Sequence, residues 1–227
     1  MVGTGKGVPR VRYAEQNSAE LDEKTIGISA HGSVYGGEGA FDGRAKKSSP
    51  KNWHPVDTGA KLFDVLRSNS SKDGPCCSCV KNLQIHSHAY GSSISMRWDS
   101  GMFVQKPEKI SDKQGLSYKQ RGVPGAARDV MDLKREVEKE NIIFCKSCKI
   151  VLYGCWTGLD NMLAQELSKV VKCSVIAPMG SASAANKKGK RIASPADGTE
   201  TRGFCAGGWA EWRNGKKTSA RSPIYGE

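Results

Sequence analysis

Apolar residues recur at helical spacing in three stretches of the chain, and in short runs or alternation in four others. Leu62, Phe63, Val65 and Leu66 are spaced like the buried face of a short helix, with Asp57 or Thr58 as its N-cap. Val130, Leu133 and Val137 share one face of an amphipathic helix predicted over 126–140. Leu159, Met162, Leu163, Leu167, Val170 and Val171 mark a third helix. Leu83 to His88 reads as a strand, and Ser92 to Trp98 alternates with Ile94, Met96 and Trp98 on one face. Lys149 to Gly154 is a short apolar run of the kind buried on both faces, and Ser174 to Pro178 is another strand. Strand, helix and strand with short joints between 149 and 178 make a βαβ unit. The pattern therefore predicts an α/β fold, a three-layer sandwich with a mainly parallel central sheet.

Outside that core the signal thins. Residues 1–55 are rich in Gly, Ser and Lys, so this segment reads as irregular or partly ordered, with Thr25 to Ile28 and Val34-Tyr35 as edge strands at most. Residues 104–125 read as a loop. The core is expected over 56–180, and a basic, loop-rich segment over 181–227 completes the domain, with Trp209 and Trp212 on a final hairpin.

The 227 residues carry 35 Lys+Arg against 23 Asp+Glu, hence +12 (35 − 23), which points to an anionic partner: nucleic acid, membrane headgroups or a wall polymer. The densest basic run, Lys187, Lys188, Lys190 and Arg191, contains no aromatic residue and so lacks a stacking platform for single strands. No apolar stretch approaches the ~18 residues of a membrane span, and Met1 to Tyr13 shows no apolar core of a signal peptide. The expectation is synthesis in the cytoplasm, with any export through a signal-peptide-independent system.

Chemistry is concentrated in the cysteines and histidines. Cys155 ends the apolar 149–154 strand, immediately before the third predicted helix, where open α/β sheets hold their sites and where a helix dipole favours thiolate. Gly154 and Gly158 allow backbone to come close to a substrate. The competing reading is a small buried cysteine that ends a strand. A nucleophilic thiol needs a base, and His88 ends the other strand-like segment, at the same sheet edge if the two strands are neighbours. His86, two residues deeper, reads as a satisfied structural histidine, and His31 and His54 lie in the irregular N-terminal third.

Leu152-Tyr153-Gly154-Cys155, followed by Leu163 to Leu167 and Val175 to Ala177, resembles the caspase-like cysteine peptidases, the group that includes gingipain-like, clostripain-like and toxin self-processing peptidases. Leu83 to Met96, with His88, Gly91 and Ile94, is similar to the histidine block of that group, so the likeness covers roughly residues 60–180. Ala89 stands where the family usually has Gly. The resemblance implies acyl transfer, with Cys155 attacking a carbonyl, His88 handling the proton, and backbone amides around Ala89, Gly91 and Gly154-Cys155 holding the oxyanion. Asp99 and Asp160 are candidates for orienting His88 or binding a basic group of the substrate, against the alternative of solvated carboxylates.

Cys76-x-x-Cys79 and Cys145-x-x-Cys148 have metal-ligand spacing, 65 residues apart (145 − 79 − 1), and each precedes one of the two strands. Four thiolates meeting at the sheet's N-terminal edge predict a structural zinc; a disulfide after export, or unrelated thiols, are the alternatives. Cys77, Cys173 and Cys205 read as ordinary small residues. Three functions follow: a cysteine hydrolase of a polypeptide or other amide, of the kind delivered as a bacterial effector or toxin and countered by an immunity or inhibitor protein; a peptidoglycan amidase; or a zinc-stabilised nucleic-acid-binding module.

Overall fold

A computed structural model of the chain describes residues 25–32, 38–70, 78–97, 100–105, 125–180 and 209–218. Its centre is β8 (Phe144–Tyr153), in which Ile150, Val151, Leu152 and Tyr153 are all buried, as a strand covered on both faces must be. β8 pairs in parallel with β3 (Val80–His86) on one side and with β9 (Ser174–Pro178) on the other. β3 pairs in parallel with β1 (Thr25–Ala30), and β1 with β2 (Trp53–Val56). The other edge is an antiparallel hairpin, β10 (Trp209–Arg213) and β11 (Lys216–Thr218), with β10 antiparallel to β9. The seven-stranded order is β11-β10-β9-β8-β3-β1-β2.

Alternation in the strands divides two faces. Ile26 and Ile28 of β1, Leu83 and Ile85 of β3 and Ile150 and Leu152 of β8 enter the main core. There they meet α2 (Gly59–Ser68) through Leu62, Phe63 and Leu66, α3 (Val130–Glu138) through Leu133, and α4 (Leu163–Val171) through Leu167 and Val171. Thr58 caps α2 by accepting from the Lys61 amide, and Asp129 caps α3 in a reciprocal box with Asp132. The opposite face holds a smaller cluster, Val151, Tyr153, Ile176 and Trp209, beside α1 (Glu38–Ser48), which packs on β1 and β3. Helices on both faces of a mainly parallel sheet make the α/β sandwich that the apolar pattern predicts.

The N-terminal third departs from expectation. Residues 25–56 supply two strands and a helix, and β1 lies inside the sheet, between β3 and β2. Its sequence, TIGISA, hides this because the α1 side takes small residues: a Cβ on Gly27 would press on the Ala45 carbonyl at 2.8 Å. α1 itself buries only Phe41 and Ala45, too few to show a helical stripe. A second sheet, β4 (His88–Ala89), β5 (Ser93–Ser95), β6 (Met102–Phe103) and β7 (Arg128–Asp129), receives the chain as it leaves β3. Val34-Tyr35 and the 187–191 basic run lie outside the described residues. No helix among the described residues is long and apolar enough to cross a membrane.

Candidate functional site

The parallel ladders align three chain segments at one edge. His86 is opposite Tyr153 across β3 and β8, and Ser29 is opposite His86 across β1 and β3. Two residues further along the chain come His31 (29 + 2), His88 (86 + 2) and Cys155 (153 + 2), each just past the last paired residue of its strand. This is the carboxyl edge, where open parallel sheets hold ligands.

His88 is positioned by the change of sheet. After Ser87 the chain joins the small sheet, with His88 opposite Ser95 and Ala89 opposite Ile94. The Phe41 ring of α1 meets the His88 ring edge-on at 5.1 Å and so limits its rotation. Gly91 then turns with φ +65°, a conformation that suits glycine. Its amide donates to the Cys155 carbonyl at 3.1 Å, and its own carbonyl accepts from the Leu163 amide at 3.1 Å. The loop after the histidine is thereby bonded to the cysteine and to the first turn of α4. Among the amides expected to hold an oxyanion, that of Gly91 is therefore already engaged.

Gly154 makes room for a neighbouring segment. A Cβ there would overlap the Cβ of Ala89 and come within 3.2 Å of the Ser87 hydroxyl. Its lack of a side chain is what lets the His88–Ala89 segment lie against the end of β8. Cys155, half-buried, is the one described cysteine outside a disulfide. Trp156 follows with φ +58°, the left-handed region, and its amide donates to the Gly180 carbonyl at 2.9 Å. Thr157 Oγ1 donates to the Gly154 carbonyl at 2.7 Å, and the Gly158 amide to Pro178 at 2.9 Å. α4 begins at Leu163, eight residues after Cys155 (163 − 155), so the helix does not start at the thiol as predicted. Leu159 and Met162 belong to the turns before it, because the loop spends eight residues crossing the sheet edge.

Two histidines read differently in place. His31 Nε2 lies 2.7 Å from Asp42 Oδ1, and Ser29 Oγ donates to the same carboxylate oxygen at 2.6 Å. Burial raises the Asp42 pKa, but the hydrogen bonds from Ser29 and His31 outweigh it and hold the carboxyl below its ordinary range. Ser29 is fully buried and points its proton at the carboxylate, so this group is not a serine triad. It brings an acid–imidazole pair to the His88 edge. Nothing in the sequence flags it, since residues 31 and 42 meet only through the packing of α1 on β1. His86 is fully buried and stacked on Tyr153 at 4.4 Å; its Nε2 lies 3.4 Å from Ser48 Oγ while its Nδ1 has no hydrogen-bond partner, so the histidine expected to be satisfied is so on one nitrogen.

The cysteines pair in a different way from the predicted zinc set. Cys79 and Cys145 form one disulfide and Cys148 and Cys173 another, with Cα separations of 5.1 and 4.9 Å. The sulfurs of Cys79, Cys145 and Cys148 are thus bonded to sulfur, and Cys173 is a bridge partner. Cys76, Cys77 and Cys205 lie outside the described residues. Among the described residues no cluster of three His, Cys, Asp or Glu side chains is placed to hold a metal. Asp99 also lies outside the described residues; the Asp160 carboxylate is solvent-facing and 3.6 Å from Lys217 Nζ. No protein-family model, curated protein or solved structure matches the chain.

Proposed function

We propose that the chain is a cysteine-dependent amide hydrolase in which Cys155 is the nucleophile and His88 the base. The observation that supports this reading is the β3–β8 register, His86 opposite Tyr153, which ends two residues before His88 and two before Cys155. The Gly91 amide on the Cys155 carbonyl adds a direct tie between the two segments. In this reading the Cys155 sulfur, its proton taken by His88, attacks the carbonyl carbon of the substrate. The carbonyl π electrons move to oxygen, where the Cys155 and Ala89 amides are the candidate donors. Collapse expels the amine with the proton from His88, and water, deprotonated by His88, then cleaves the thioester to a carboxylate and restores the thiol. Two disulfides support a working place in an oxidising compartment outside the cytoplasm.

The test is the rate of Cys155 alkylation by iodoacetamide against pH, in the wild-type chain and in His88→Ala. The expected result is alkylation at neutral pH much faster than that of a free cysteine, and slowed to the free-cysteine rate in the variant. A Cys155 indifferent to His88 overturns the hydrolase and leaves the basic chain as a binding module.

A further inference from the structure

Four large apolar side chains are exposed among the described residues: Tyr90 at 47%, Met131 at 49%, and Trp156 and Leu159 at 37% each. Three of them belong to the two segments that carry the candidate pair. Trp156 follows Cys155 directly, Leu159 donates its amide to the Trp156 carbonyl at 3.2 Å, and Tyr90 is two residues past His88. A Cβ on Gly91 would stand 3.5 Å from the Trp156 carbonyl oxygen, so the Tyr90–Gly91 turn lies against the Trp156 backbone. The exposed apolar surface is thus gathered where a substrate would approach the thiol.

Trp156 adds an independent observation. Its φ of +58° is a conformation that glycine adopts freely and that bulky residues rarely hold. A glycine would serve the backbone there, as Gly91 does with φ +65°, yet the largest side chain stands in that place. Burial does not account for it, because more than a third of the residue is open to solvent. An outlier of this kind beside a reactive group points to use of the side chain itself.

We infer that Trp156, with Tyr90 and Leu159, forms an apolar subsite that receives a large aliphatic or aromatic side chain of a polypeptide substrate next to the scissile amide. This rests on the hydrolase reading above. Among the described residues the two carboxylates on these segments and beside them are already paired, Asp42 with Ser29 and His31 and Asp160 with Lys217, which favours an apolar over a basic side chain. Trp156 is then a specificity residue, and Cys155 and His88 act on whatever amide it selects.

The experiment uses a series of peptidyl acyloxymethyl ketones, identical except for Phe, Leu, Ala, Asp or Lys beside the reactive carbonyl, with labelling at Cys155 located by mass spectrometry on the full chain. The wild-type chain is expected to react with the Phe and Leu probes at least tenfold faster than with the Ala, Asp and Lys probes, the order of discrimination an apolar pocket gives. In Trp156→Gly, whose backbone suits the left-handed conformation, the Phe-to-Ala ratio is expected to fall to about one. Tyr90→Ala is expected to lower the same ratio, and keeps the test open should the first variant fail to fold. A flat or charge-selective series in the wild type, or a ratio unmoved in both variants, overturns the subsite while His88-dependent alkylation leaves the hydrolase standing. A Cys155 no more reactive than a free thiol overturns both.

Discussion

Gly154 and Ala89 occupy one another's space: a Cβ on the first would sit inside the van der Waals surface of the second. A methyl added at 154 must push apart either the end of β8 or the segment that carries His88, with an overpacking cost of about 1–3 kcal/mol. Displacements on the order of 1 Å at a reacting pair reduce rates by roughly a hundredfold. Gly154→Ala is therefore expected to lose most of the His88-dependent alkylation of Cys155 at neutral pH, and Ala89→Gly in the same chain to restore it. The double variant separates contact from general damage, since a merely unstable protein gains nothing from a second small residue. Wild-type kinetics in Gly154→Ala would show that the two segments do not touch. The residue types at this junction were legible in the sequence, but the reason for them was not. Gly before Cys reads as room for a substrate; the room it makes for the neighbouring Ala89 shows only in the fold.

At the scale of the element, β8 is the part of the fold that the chain specifies most tightly. Its N-terminal half is joined covalently to its surroundings on both sides, through Cys145 to Cys79 before β3 and through Cys148 to Cys173 before β9. The sequence shows only half of this strand. Ile150 to Tyr153 reads clearly, but Cys145 to Lys149 is mostly exposed, and β8 takes five steps from Phe144 to Lys149 where β3 takes two from Val80 to Asn82. A polar, bulged stretch has neither of the periods that betray a strand, so its two cysteines read as a metal motif. In the bulge they turn to different neighbours. Peptide mapping of the unreduced protein is expected to recover the pairs 79–145 and 148–173. Bridges spanning 66 and 25 residues each correspond to about 3–4 kcal/mol by chain-entropy arithmetic. Reduction is accordingly expected to lower the thermal midpoint by many degrees. Stoichiometric zinc, removed by a chelator, with the same four cysteines alkylatable, would contradict the pairing.

Stability of the whole molecule is expected to depend on acid through the polar layer beneath α1. The His86 ring is pushed down to about 3, first by burial and second by the charge of Arg44. An unfolded histidine takes up its proton near 6.5. Between those two values the unfolded chain binds a proton that the folded chain does not, so stability falls as pH falls, by up to ~1.4 kcal/mol per unit. Above about 6.5 both forms are neutral and this contribution is flat. His54, lowered by burial, adds loss of the same sign; Asp42, Glu136 and Glu211, lowered in the fold, add theirs further into the acid range. His86→Phe keeps a ring against Tyr153 and removes the titration. Its urea midpoint is expected to fall less than that of the wild type between pH 7 and 5, and parallel profiles would sink the idea.

The βαβ unit, both edge residues of the candidate dyad and the final hairpin could be read from period and spacing, because their apolar positions are dense. The N-terminal strand and α1 could not, because they meet the sheet through Gly27, Ser29 and Ala45, whose small size is informative only beside the partner. The same long-range character governs how the candidate site forms. Between His88 and Cys155 lie 67 steps of chain (155 − 88), and between His31 and His88 another 57 (88 − 31). Their strands are parallel, so each junction needs a long crossover to close before its ladder can form, which is the slow class of folding contact. Nascent and partly folded chains hold Cys155 apart from His88. In kinetic terms the molecule is latent by topology: whatever Cys155 and His88 do together, they begin to do it only when the last parallel pairing is complete.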